Sequence, residues 1–182
     1  MNLFELSPTW LTLLFCAVLI AAAVEDVVRL RISNLTVLAA VACAGVAIAV
    51  AGPRFGLWEN LVVCGVLLLG GTLLFAAGKV GGGDVKLFAA VGLWADLERA
   101  VPLVATVFIA GGCIALLVIV PRMVLGRAGG RSLRERSRQI PYGVAIATGA
   151  LLVIGYQHEV SRIERPNPLE FHPLPAVAPP QD

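Results

Sequence analysis

Asp26 and Asp84 are the residues of this sequence whose surroundings point to chemistry. Asp26 closes a long apolar stretch and opens the run Asp26-Val27-Val28-Arg29-Leu30-Arg31-Ile32-Ser33-Asn34, while Asp84 follows Gly81-Gly82-Gly83 and precedes Val85-Lys86-Leu87. Taken singly, each has a plain structural reading. Asp84 reads as the N-cap of a helix after a Gly-rich turn, and Glu25 with Asp26 as acids at the harmless end of a helix. Taken together they read differently. Two facing carboxyl groups cannot both ionise easily, so they share a proton. The ionised member can take a proton from water as that water attacks a scissile carbonyl, and the protonated member can donate to the carbonyl oxygen. This is aspartic-protease chemistry, and it calls for no metal, cofactor or covalent intermediate. The triple glycine adds a backbone edge without side chains, open to close approach by an extended peptide.

The elements that must position this pair are set by composition. The chain has 182 residues, 58% hydrophobic and only 14% charged, with a mean hydropathy of +0.87. An ordinary soluble domain is about 45–50% apolar and about 25% charged, so most soluble classes are excluded and the chain reads as an integral membrane protein. The net charge of +2 is too small to argue for a nucleic-acid partner. Stretches without Asp, Glu, Lys or Arg run over Leu6–Val24, Ile32–Pro53, Asn60–Gly78, Leu87–Ala95, Ala100–Pro121 and Gln139–Gln157. Five of them have 19 or 22 residues, enough for a span of roughly 20 helical residues. The fourth, with nine, is too short by itself.

The distribution of basic residues decides whether that fourth segment crosses. If it does, one side holds Arg29, Arg31, Lys79, Lys86 and the six arginines of 122–138, a split of 10 to 4. If it does not, the split is 7 to 7 and specifies no orientation. The reading is therefore an all-α polytopic bundle of six transmembrane helices, both termini extracytoplasmic and the basic loops in the cytoplasm. Asp26 and Asp84 then share the cytoplasmic face. The fourth helix must start near Gly81 to reach a workable length, which draws Asp84 and Lys86 toward membrane depth, where charges are costly and usually functional. Trp94, followed by Asp96 and Glu98, suits the outer interface end of that helix.

The first segment is expected to stay as a span despite Ala21-Ala22-Ala23. Residues 1–9 carry Glu5 and no Lys or Arg, unlike a signal peptide. Cys16, Cys43, Cys64 and Cys113 sit singly in apolar stretches and read as packing residues, with no metal site and no disulfide framework. Gly45, Gly65, Gly70, Gly71, Gly111 and Gly112 are expected to allow close helix approach. The division is a six-helix membrane domain over 1–156 and a Pro-rich, flexible extracytoplasmic tail over 157–182. The 122–138 loop reads as an anchor at an anionic leaflet.

Asp26 with Ile32 and Asn34 following, Gly81-Gly82-Gly83-Asp84-Val85-Lys86-Leu87, and Ile140-Pro141-Tyr142-Gly143-Val144-Ala145 at the last span together resemble the type IV prepilin peptidase family, over roughly residues 10–156. The Gly-x-Gly-Asp-x-Lys element carries most of the likeness. The resemblance implies a membrane aspartic endopeptidase of the bacterial inner membrane, which cuts the leader from prepilin precursors at the cytoplasmic face. It implies Asp26 and Asp84 as the catalytic pair, and Gly81, Gly82, Gly83, Lys86 and Asn34 as supporting or substrate-binding residues. Prepilin peptides and the lipid bilayer are the implied partners, with the pilus assembly machinery beside them. Where the family has Ile-Pro-Asn, this chain has Ser33 in the middle position. The paired CxxC elements of the long methyltransferase members are absent from the sequence, so the chain is similar to the short stand-alone form of Flp-type, tight-adherence pili, cleaving without methylation. The alternative is a small transporter or channel with Asp26, Asp84 and Lys86 on an ion or proton path, against which stands the lack of any matching charged, broken segment in the second half.

Overall fold

The computed structural model of the chain describes residues 2–52, 56–125 and 142–163. Among these the chain is all α-helical, with α1 (Leu3–Leu6), α2 (Thr9–Arg29), α3 (Asn34–Ala51), α4 (Leu57–Ala76), α5 (Gly82–Gly92), α6 (Leu97–Leu125) and α7 (Tyr142–Ile163). Four helices are long and apolar enough to cross a membrane: α2, α3, α4 and the Leu97–Leu117 part of α6. Their outer faces carry exposed Leu13, Leu69, Val101, Phe108 and Leu117, the surface of a helix solvated by lipid. The eleven residues of α5 rise only about 16 Å, and the apolar part of α7, Tyr142–Gln157, is also shorter than the four spans.

The inward faces follow helical periodicity. On α3 the buried residues are Val37, Ala40, Cys43, Ala44 and Ala47, small side chains that let α2 and α5 pack closely. On α2 the buried stripe is Leu11, Phe15, Leu19, Ala22 and then Asp26, so the carboxylate occupies the next core position of an otherwise apolar face. Unlike these, α5 is buried nearly all round from Val85 to Gly92 and packs against α4, α3 and α7. It is the hub of the bundle. Beyond its far end, Trp94 is fully buried and stacks on Phe15 at 4.2 Å and on Phe4 at 5.2 Å between ring centroids. Trp94 is enclosed at this end of the bundle: α1 folds over it, with the Leu3 N–H donating to the Trp94 carbonyl and Asn2 tied to Gln157 of α7. Asp96 and Glu5, both paired with Arg99, hold the polar rim of this end.

At the other end, α4 stops in a Schellman turn, where Lys79 N–H donates to the Leu74 carbonyl and Gly78 N–H to that of Phe75. Gly78 supplies the required left-handed backbone at φ +70°. That turn delivers the chain to Gly81 and starts α5 with Asp84 in its first turn.

Of the six glycines expected to permit close packing, Gly71 and Gly111 do so, and Gly92 and Gly149 join them. A Cβ on Gly45, Gly65, Gly70 or Gly112 would meet nothing within 4 Å, whereas Gly71 lies against Val85, Gly92 against Leu67 and Gly149 against Val107. At Gly149 the Cβ would fall 2.7 Å from Val107 Cα and 2.8 Å from its nitrogen, so backbone and not a flexible tip must move. Gly149→Ala is therefore expected to force α6 and α7 apart and cost about 1–3 kcal/mol, read as a lower melting temperature in detergent. Gly155→Ala, with open space around it, is the control that should show no loss. Of the cysteines only Cys43 is buried, and Cys113 is exposed. The basic loop lies outside the described residues from 126 onward, as does the Pro-rich tail from 164. Before that point α7 continues to Ile163, past the expected tail boundary at 157.

Candidate functional site

Asp26 and Asp84 come together where the C-terminal end of α2 meets the start of α5. Both line one cavity of about 370 Å³, together with Leu30, Arg31, Ile32, Gly81, Gly82 and Gly83. The two carboxyl groups are close enough for their charges to act on each other.

Each carboxyl is held by backbone donors. Asp26 is only 5% exposed, and its Oδ2 accepts from Gly143 N–H at 2.7 Å, with Val144 N–H as a second donor. These are amides of the first turn of α7, which have no partner within their own helix and sit at the positive end of its dipole. Asp26 thus closes the N-terminus of α7, and α7 in return fixes the orientation of the carboxyl. Asp84, third residue of α5, reaches back to Gly81 N–H, one half of a capping box. It is therefore not the N-cap itself; Gly81 occupies that position.

The glycine run serves the chain's own backbone first. A Cβ on Gly83 would stand 3.1 Å from both Cβ and the carbonyl oxygen of Ile32, and one on Gly81 would stand 2.7 Å from Asp84 Oδ2. Gly83 lets the 30–32 segment cross over the start of α5, and Gly81 lets Asp84 fold back. The crossing is set up by Leu30, whose φ of 52° is left-handed, an uncommon state for a branched side chain. Its N–H still donates to the Asp26 carbonyl at 2.8 Å, which ends α2 one turn after the acid.

Lys86 and Asn34 are brought to each other, not into the cavity. Lys86 Nζ donates to Asn34 Oδ1 at 3.1 Å on the exposed surface, tying α5 to the first residue of α3. The three charges of the transport reading are thus not gathered on one path. Glu25, next to Asp26 in sequence, points elsewhere: its Oε2 accepts from Thr36 Oγ1 at 2.6 Å and from Ser33 N–H at 3.1 Å. Ser33 is the N-cap of α3, its Oγ accepting from Thr36 N–H. A proline at 33 has no N–H to give, so Ser33 supplies Glu25 with a bond that the Ile-Pro-Asn pattern lacks. Glu25→Ala is expected to loosen this corner by about 1–3 kcal/mol, seen in thermal unfolding, while leaving the Asp26 carboxyl and its chemistry in place.

Sequence reasoning missed Gly143 as part of the site, although the Tyr142-Gly143 stretch was noted. A Cβ there would stand 2.8 Å from Ile32 Cδ1 and 2.9 Å from Asp26 Oδ2, so only glycine seats the carboxyl against the helix. The signal available was a glycine at the start of an apolar helix following Pro141. Arg31 and Ile32 were also missed as cavity lining. Among the described residues no group of three or more His, Cys, Asp or Glu could hold a metal ion.

Compared with known proteins, residues 13–118 match the family model described as the type IV leader peptidase family, more than half of the chain. The match takes in Asn34, Gly81, Gly82, Gly83, Lys86 and both aspartates, and stops before α7. No curated protein and no solved structure matches the chain.

Proposed function

The chain belongs to the type IV leader peptidase family, and from that premise we propose that it is an aspartic endopeptidase with Asp26 and Asp84 as its catalytic pair. The observation that carries this reading is the single cavity lined by both carboxyls. In the mechanism, the pair holds one proton between its members, and the apparent titration belongs to the pair. Asp26, faced by the Gly143 and Val144 amides, is suited to be the anion and general base. It takes a proton from a water that attacks the scissile carbonyl carbon, while Asp84 gives its proton to the carbonyl oxygen. The tetrahedral intermediate collapses as the C–N bond breaks. The proton now on Asp26 passes to the leaving amine, and the gem-diol proton returns to Asp84, which restores the starting state.

Membership in a leader peptidase family implies prepilin substrates, and the short form without paired CxxC elements supports a Flp-like precursor cut without N-methylation. We read the chain as six spans, with α5 extended by its flanking turns and α7 as the last, a topology in which both aspartates lie at the cytoplasmic face of the inner membrane. The basic-residue split supports that orientation. Gly83 supports the site by admitting the Ile32 backbone, Gly81 by letting Asp84 fold back and Gly82 by lying close against the Phe75 ring, Lys86 and Asn34 by bracing α5 on α3, and pilus assembly proteins are the expected neighbours.

The test is processing of a Flp-type pilin precursor by the purified chain in detergent, with and without a metal chelator. A shortened precursor carrying an unmodified new N-terminus, formed equally in both conditions, is the expected result. An intact precursor would overturn the endopeptidase reading; a methylated N-terminus would overturn the short-form assignment; loss of cleavage in chelator would overturn the two-carboxylate mechanism.

A further inference from the structure

The two acids have a counterpart at the opposite end of the same two helices. Phe15 precedes Asp26 by eleven residues on the buried stripe of α2, three helical turns and about 16 Å away. Trp94 follows Asp84 by ten residues, just past the end of α5, a similar length of about 15 Å. The two rings stack at 4.2 Å between centroids with their planes 22° apart, and they are the two largest fully buried side chains among the described residues. Helices α2 and α5 therefore run antiparallel, meeting at the carboxyl cavity at one end and at this stack at the other.

Between those ends little holds the two helices lengthwise. Each packs mainly on α3 and α7 and not on the other, and α3 buries Val37, Ala40, Cys43, Ala44 and Ala47. Small side chains bring helices close but form shallow ridges and grooves, so they set distance better than register. The bonds that hold the acids do not join the two helices either, since Asp26 is held by α7 and Asp84 by the start of its own helix. The stack can supply what these lack. Trp94 Nε1 has no hydrogen-bond partner among the described residues, so ring contacts fix the indole, with Phe4 as a third ring at 5.2 Å.

Resting on the endopeptidase reading above, we infer that Phe15 and Trp94 are positioning residues for the reaction: their stack sets α5 lengthwise against α2 and so holds Asp84 opposite Asp26. They touch neither the acids nor the reacting bond and act through the two helices. Without the stack, α5 is free to slide or tilt by about 1 Å, enough to misalign two carboxyls that must share a proton and a water.

Position and rate are tested separately. In a chain whose four cysteines are replaced by alanine, Asp26→Cys and Asp84→Cys are introduced together, and disulfide formation under mild oxidation in lipid vesicles is followed by loss of maleimide labelling. Trp94→Leu and Phe15→Leu, which keep apolar bulk and remove the stack, are expected to slow this crosslink several-fold. Leu103→Ala, which opens a cavity in the core on α6, a helix that packs on α7 and α4 and not extensively on α2 or α5, is expected to leave it unchanged. In the chain with both aspartates, Trp94→Leu is expected to lower kcat on a pilin precursor by about tenfold or more with KM little changed, and Trp94→Phe, which keeps a stacked ring, to retain most of it. Native crosslinking in both folded stack variants, equal slowing by Leu103→Ala, a native kcat in Trp94→Leu, or a Trp94→Phe variant as slow as Trp94→Leu would overturn the positioning role. The crosslink needs no cleavage, so precursor cutting by Asp26→Asn would overturn the catalytic pair while the crosslinking comparison still decides on the stack.

Discussion

Asp26→Asn and Asp84→Asn are each expected to lower precursor cleavage by at least about 10²-fold, the range contributed by a positioned acid or base. Neither change is expected to unfold the protein. Asparagine keeps an oxygen acceptor in nearly the same volume, so the Gly143 and Gly81 amides retain a partner. Replacing either acid also removes the cost of keeping side by side two carboxyl groups that cannot both ionise. The expected signature is therefore a protein of native or higher melting temperature with almost no turnover. The double variant should be scarcely slower than either single one, because groups that act as a unit are not additive. Initial rates on a pilin precursor, measured beside thermal unfolding, check this. Full processing by either single variant would remove the pair from the mechanism, and Glu25→Ala, on the adjacent residue, is the matched comparison.

Gly143→Ala is expected to have the second largest effect. The added methyl would sit 3.0 Å from Asp26 Cβ and 2.9 Å from its Oδ2, and Ile32 on the other side is itself wedged against Gly83. The carboxyl must swing away from α7 or α7 must shift, and either breaks the 2.7 Å bond that orients it. A displacement of about 1 Å at the reacting group is enough to cost about 10²-fold in rate. The rest of the site is left in place, so the loss is expected in kcat more than in KM. A Gly143→Ala variant with native kcat would show that the α7 amides do not position Asp26.

Much of this arrangement was legible in the sequence, and the reasons differ by residue. Asp26 by itself reads as a harmless acid at a helix end and drew attention only through its pairing with Asp84 on one membrane face, although its place on the stripe of Leu11, Phe15, Leu19 and Ala22 was there to be counted at helical spacing. Asp84 was found through its glycines. What the glycines do was only half legible: they were expected to expose a free edge, yet Gly83 is occupied by Ile32 of the same chain, a contact across distant residues that no local pattern encodes. Lys86 and Asn34 were grouped with the site through family likeness, and their bond to each other depends on the relative rotation of α3 and α5. That α1 covers Trp94 was not legible, because aromatic residues followed by acids look alike whether open to their surroundings or beneath a folded-over segment. Span number is the least legible feature, since α5 is short and its flanks, not its apolar core, decide its reach. Gly143 escaped because a donor amide leaves no trace in side-chain chemistry.

Helix α5 is clamped at both ends, at Asp84 by the carboxyl cavity and just beyond Gly92 by the stacked Trp94. The stretch between them is therefore a fixed length with a fixed phase. One residue gained or lost within it would turn Asp84 by about 100° relative to Trp94 and shift it about 1.5 Å along the axis, carrying the carboxyl away from Asp26 with every individual side chain intact. The chemistry of this protein is thus written partly in a count of residues. Variation along α5 can exchange one apolar side chain for another, but it cannot insert or delete one.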